Sequence, residues 1–174
     1  WYEGYLDGCV TGIYLEDCWA YTFESFFITN CSGNGMELID GGDSTLYNFG
    51  VSNNGGTGIS CINLELMTML SYTIDSNVLH GIELISGCID NGLIGGVIHH
   101  NDGEGIKLSG TSDTNIIQGV QIKSNGLYGV NVANANCDNN LIIGNIFLDN
   151  VSGQVSDTGT GTLIRSNIGQ ADSV

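Results

Sequence analysis

Basic side chains are nearly missing from this chain: three Lys and Arg stand against nineteen Asp and Glu, a formal net charge of −16. That balance excludes binding to nucleic acid through its phosphates and disfavours anionic membrane surfaces for the same Coulombic reason. No apolar run approaches the roughly 20 residues that a spanning helix needs, and no basic region precedes a hydrophobic stretch at the N-terminus, so membrane insertion is not expected. Long helical runs are missing too. In their place stand 27 glycines, many Asn-Gly and Gly-Gly steps and strong β-branching, which argue against an α-solenoid. The six cysteines include no C-x-x-C pair that would suggest a metal site. No Thr-x-Thr column of the ice-binding kind recurs, and the calcium-binding nonapeptide G-G-x-G-x-D is absent.

What is present is a repeat. A glycine is followed by an apolar, an outward-type and a second apolar residue at Gly12-Ile13-Tyr14-Leu15, Gly35-Met36-Glu37-Leu38, Gly58-Ile59-Ser60-Cys61, Gly81-Ile82-Glu83-Leu84, Gly105-Ile106-Lys107-Leu108 and Gly129-Val130-Asn131-Val132, at spacings of 23, 23, 23, 24 and 24 residues. A period of that size marks a solenoid, in which each coil buries its apolar face only against its neighbours. Two further apolar columns keep the register: Phe23, Leu46, Met69, Leu93, Ile117, Ile142, and then Ile28, Val51, Ile74, Ile98, Ile122, Phe147. Both suit inward positions of short strands with two-residue periodicity. Three residues after the second column comes a polar one, Asn54, Asn77, Asn101, Asn125 and Asn150, with Cys31 in the earlier repeat. Asparagines stacked about 4.8 Å apart can pass amide hydrogen bonds along the rod, and a buried turn requires such pairing. The pattern predicts an all-β, single-domain β-solenoid over residues 1–174, with about seven coils of 23–25 residues and a tail at 170–174. Because Gly8 to Gly12 reads as a coil already under way, the chain is expected to be a fragment or a processed part of a longer rod.

The coils NNGGTGISC, NVLHGIELI, NDGEGIKLS and NGLYGVNVA, with the closing NNLIIGNIFLDNVSGQVSDTGTGTLIRSNIG, resemble the right-handed parallel β-helix proteins of the pectate-lyase-like superfamily over about Gly8 to Gly169. That superfamily includes polysaccharide lyases, glycoside hydrolases, epimerases and viral tail spikes. The resemblance implies a right-handed coil, a polysaccharide partner and an extracellular, cell-surface or virion-surface setting. It transfers no catalytic residue. The N-T-D, D-D, G-H-G and R-I-K motifs of its glycosidases are absent, and the arginine on which its calcium-dependent lyases rely is represented only by Arg165 in the closing coil.

A site on such a rod should lie on outward positions aligned from coil to coil. One outward row is Tyr14, Glu37, Ser60, Glu83, Lys107, Asn131; the row just before the glycine is Thr11, Asn34, Thr57, His80, Glu104, Tyr128. Together they place His80, Glu83, Glu104 and Lys107 in one patch, the candidate catalytic group, with Asp102 at its margin. Lyase chemistry on a uronate needs a base for the proton beside the carboxylate and a positive group for the charge that develops. Lys107 or His80 would serve as base, and Asp102 and Glu104, with Glu83, would hold Ca²⁺ if a cation takes part; no cofactor is required otherwise. Hydrolysis would instead use Glu83 and Glu104 as its two carboxyl groups. The plainer reading is a solvated face of weak cross-coil ion pairs.

Exposed aromatics can stack on sugar faces, which makes Tyr14, Trp19, Tyr21 and Tyr128 the candidate carbohydrate contacts. Trp1, Tyr2 and Tyr5 lie near the first three, so packing against further coils would also account for that group. The adjacent His99 and His100 should point different ways, with Asp75 one coil earlier in reach of His99. Cys9 and Cys31, 22 residues apart, could face each other on adjacent coils and pair, whereas Cys88 and Cys137 are two coils apart and too distant. Three functions remain: a polysaccharide-binding strip, a lyase or hydrolase centred on the His80 patch, and a structural rod that assembles with itself, as a trimer or end to end.

Overall fold

The computed structural model describes residues 4–173, and Trp1 and Tyr2 lie outside them. The described residues form no helix; seventeen strands fall into two sheets wrapped around one core. The ten-stranded sheet is built around Thr45–Ser52, Thr68–Asp75, Gly92–His99 and Ile116–Lys123, and the seven-stranded sheet around Met36–Gly42, Ile59–Glu65, Ile82–Ile85 and Ile106–Ser109. All strand pairs within the two sheets are parallel. The chain climbs by alternating between them, giving the expected right-handed parallel β-helix of about seven coils.

The register follows the sequence columns. Leu46 pairs with Met69, Met69 with Leu93 and Leu93 with Ile117, while Val51, Ile74, Ile98 and Ile122 pair likewise. These side chains are buried, and with Met36, Leu38, Ile82, Leu84, Ile106 and Leu108 from the other sheet they fill the interior. A second interior feature is aromatic: Phe26 stacks on Phe49 at 4.9 Å and Phe49 on Tyr72 at 5.6 Å.

Short polar residues bend the strands into a closed coil. Asn30, Asn53, Ser76, His100, Ser124 and Asp149 all adopt positive φ, between 53° and 56°, at the corner ahead of the asparagine column. A second set, Ser25, Asn48, Ser71, Gly95, Gly119 and Gly144, bends the long strands at mid-length in the same way. The left-handed region crowds a Cβ against the following carbonyl, so Asn, Asp and Gly, with Ser here, occupy corners that Ile and Val of the core columns would resist.

The asparagine ladder forms as the spacing predicts. Each Oδ1 accepts from the backbone N–H and the side-chain amide of the coil before: Asn54 to Asn77 at 3.1 and 2.9 Å, Asn77 to Asn101 at 3.1 and 2.9 Å, Asn101 to Asn125 at 3.1 and 3.0 Å, Asn125 to Asn150 at 3.1 and 2.9 Å. Cys31 opens it, its N–H donating to Asn54 Oδ1 at 2.9 Å. A second ladder, Asn91, Asn115 and Asn140, runs at another corner by the same bonds. Cys61 is fully buried as a small apolar residue. Cys9 and Cys31 do come to the same position on adjacent coils, but all six thiols are free, so the pairing their spacing allows is not made.

Candidate functional site

The outer face of the seven-stranded sheet carries the predicted rows. Tyr14 pairs with Glu37, Glu37 with Ser60, Ser60 with Glu83, Glu83 with Lys107 and Lys107 with Asn131, so these side chains emerge one above another. The adjacent row is set by the inter-coil backbone bonds from Gly58 N–H to His80 O, Gly81 N–H to Glu104 O and Gly105 N–H to Tyr128 O. Glycine is required under this row. A Cβ at Gly105 would stand 2.6 Å from Gly129 O and 2.7 Å from Ile122 Cγ2.

Two pairs form on neighbouring coils. His80 Nδ1 lies 2.6 Å from Glu104 Oε2, and Lys107 Nζ lies 2.8 Å from Glu83 Oε1. The first is the more enclosed, with the Glu104 side chain 8 % exposed and that of His80 17 %. Oε2 is buried with the His80 ring as its one polar neighbour, Oε1 accepts from Asn131 Nδ2 at 3.1 Å, and the Glu104 backbone N–H donates to His80 Nδ1 at 3.2 Å. Contact at 2.6 Å between a carboxyl oxygen and an imidazole nitrogen is favourable when one proton lies between them. Burial pulls the His80 pKa below its ordinary value, and the attraction of Glu104 and Glu83 only partly offsets this. Among the described residues no hydrogen bond engages the ring's other nitrogen, Nε2.

Other candidates are placed as follows. Asp102 is exposed at the turn beside the buried Glu104, and among the described residues no three His, Cys, Asp or Glu gather as a metal-binding group. Tyr128 is half-buried in the His80–Glu104 row, next to Glu104. Tyr14 and Trp19 are exposed, at 53 % and 54 %, and Tyr14 donates to Glu16 Oε2 at 2.8 Å. Tyr21 turns inward instead, its ring against Phe23 at 5.4 Å and its hydroxyl pKa raised by burial, so it is not presented on the outer surface. His99 pairs with Asp75 and Lys123 in the sheet register, but its ring meets His100 at 2.7 Å, and the Asp75 carboxylate accepts from Ser76 at 3.1 Å. Sequence reasoning missed the role of Asn131, which holds Glu104; its one signal was membership of the outward row two coils from Glu83.

Known proteins share the architecture of this chain. Its fold is that of right-handed β-helices, and the family model described as Right handed beta helix region matches residues 6–147, so the chain belongs to that family. Among solved structures it is similar to the A-module of the mannuronan C-5 epimerase AlgE6 of Azotobacter vinelandii, with a TM-score of 0.78 at 15 % identity over 98 % of this chain. It is also similar to the periplasmic alginate epimerase AlgG, with a TM-score of 0.74 at 14 % identity over 95 % of this chain. A third similar structure is the DFA-IIIase of Arthrobacter chlorophenolicus A6 in complex with GF2, with a TM-score of 0.68 at 16 % identity over 92 % of this chain. The chain spans 56 %, 49 % and 44 % of those proteins' own lengths. Comparison with curated protein sequences gives no match.

Proposed function

We propose that this chain is a polysaccharide-interacting β-helix module of an extracellular or virion-surface protein, and that the outer face of the seven-stranded sheet is its contact strip. The observation that carries the reading is the enclosed His80–Glu104 pair beside Glu83–Lys107 on successive coils. Carbohydrate-directed proteins among the similar folds, two of them named as epimerases, support the substrate class. In a proton-transfer reaction His80 is the base in the tautomer that leaves Nε2 open: Nε2 takes a proton from the sugar carbon beside a carboxylate, and the Glu104 carboxylate stabilises the imidazolium that forms. Lys107 then stands by as the positive group for the charge that develops. Ca²⁺ at Asp102 and Glu104 belongs to this reading only as a substrate-borne ion, which those two acids would help to hold.

The test is a screen of acidic and neutral polysaccharides, with and without Ca²⁺, by reducing-end assay, absorbance of unsaturated uronates and NMR of epimerised product. Turnover on one polymer, abolished by Glu104→Gln in a protein that melts as the wild type does, is the expected result. Full turnover in Glu104→Gln overturns the assignment. A second reading, a non-catalytic rod that assembles with itself, is favoured by one observation: Ile39, Ile62 and Ile85 pair in an outward, partly exposed apolar column on the same face. A homo-oligomer in sedimentation, with no polymer turned over, would replace the first reading with this one.

A further inference from the structure

On the ten-stranded sheet, well away in the coil from His80 and Glu104, a groove of about 470 Å³ opens between the first coils. That volume suits a small-ligand cleft, which typically holds about 300–1,000 Å³. One wall is an aromatic platform. Tyr5 and Phe27 stack nearly parallel, at 5.8 Å and 7°, and both rings reach solvent, at 63 % and 38 % exposure. The platform depends on an absent side chain: in the outward row Phe27, Gly50, Thr73, a Cβ at Gly50 would collide with the Phe27 ring. The opposite lip is the mid-strand corner Ser25, Asn48, Ser71, one residue from each successive coil. Asn48 Nδ2 donates to Ser25 Oγ at 3.0 Å. Among the described residues Asn48 Oδ1 and the Ser71 and Thr73 hydroxyls are not engaged.

We propose that this groove is a binding subsite for a neutral polysaccharide, distinct from the His80 strip and independent of whether that strip is catalytic. Three features select the occupant. Among the described residues the lining contains no charged side chain, so it offers no counter-charge to a cation or to a polyanion. Flat exposed rings match the C–H face of a pyranose, and carbonyl and hydroxyl groups repeating at the coil spacing match its ring hydroxyls. An apolar peptide would leave that polar lip without partners.

Native gels cast with galactomannan, hydroxyethylcellulose, dextran or alginate test it with the full chain. Retardation by at least one neutral polymer is expected, weakened about tenfold in Tyr5→Ala and Phe27→Ala and about fivefold in Asn48→Ala, and unchanged in Glu104→Gln. Gly50→Ala tips Phe27 off its seat and should act like Phe27→Ala, and Tyr5→Ala, at an exposed ring, keeps the test informative if an inner variant fails to fold. No retardation by any neutral polymer, or retardation that Tyr5→Ala and Phe27→Ala leave intact, overturns the proposal. So does a dimer in sedimentation that Phe27→Ala abolishes, since the groove would then belong to a second copy of the chain.

Discussion

Replacing Asn101 by Leu, which is close to it in volume, removes one rung from the middle of the first ladder. Asn101 is 1 % exposed, and its side chain takes part in four hydrogen bonds. The losses are unequal. Asn125 Oδ1 keeps the Asn101 N–H, and Asn77 Nδ2 keeps Val51 O at 3.3 Å, so both retain a partner. The Asn77 N–H does not: Oδ1 of Asn101 is its acceptor at 3.1 Å, in a corner sealed from water. One orphaned buried donor costs about 1–3 kcal/mol, and the weakened remaining bonds add a fraction of that, so the expected destabilisation is about 2–3 kcal/mol. In a chain of this size that lowers the melting midpoint by roughly 4–12 °C. The assay is urea and thermal unfolding followed by far-UV circular dichroism, with Asp102→Ala, one residue on and exposed, as a control within about 0.5 kcal/mol of wild type. Asn77→Leu with Asn101→Leu should cost less than the sum of the two, because Asn77 Nδ2 and Asn101 Oδ1 are partners in one bond, which the double variant loses only once. A midpoint for Asn101→Leu indistinguishable from wild type would refute the reasoning, since the ladder would then not be buried.

Two further outcomes follow from the same structure. Burial lowers the pKa of His80 and of His99 below the ordinary value of 6.5, so between that value and the folded pKa the unfolded chain binds more protons than the folded one. Stability from this source rises with pH through that window and is lost on acidification; the wild-type minus His80→Gln difference in urea midpoint should shrink below about pH 6.5, and a difference that grows on acidification would contradict the assignment. Gly105→Ala and Gly95→Ala should separate two kinds of glycine. The first drives a Cβ into Gly129 O and Ile122 and is expected to cost several kcal/mol, whereas Gly95, with φ +56° and open space around it, should cost about 1–2 kcal/mol of backbone strain; equal melting shifts would rule this out.

The coil and the site were legible to different depths. The glycine period and the apolar and asparagine columns exposed the register because a β-solenoid repeats the same environment every coil, so one alignment of the chain on itself places Glu83 beside Lys107 and His80 beside Glu104. Tyr21 shows the limit: its place near Trp19 suggests the surface, yet its column continues through Ser44 and Met67 into the core. Asn91, Asn115 and Asn140 show another, for their column begins as Tyr21, Ser44 and Met67, and a ladder starting partway along a rod leaves too short a run to stand out.

By itself, the sequence determined the architecture, the inward and outward sets and the rows that could share chemistry, because those depend on local alternation and on a period that repeats along one dimension. Only the tertiary structure decided how the rows are used: that His80 and Glu104 close on each other with one buried oxygen, that Asn131 reaches back to hold them, and that Gly50 leaves room for the Phe27 ring to lie flat. Those outcomes depend on side-chain directions and on the depth of each position between neighbouring coils, which residue spacing does not specify.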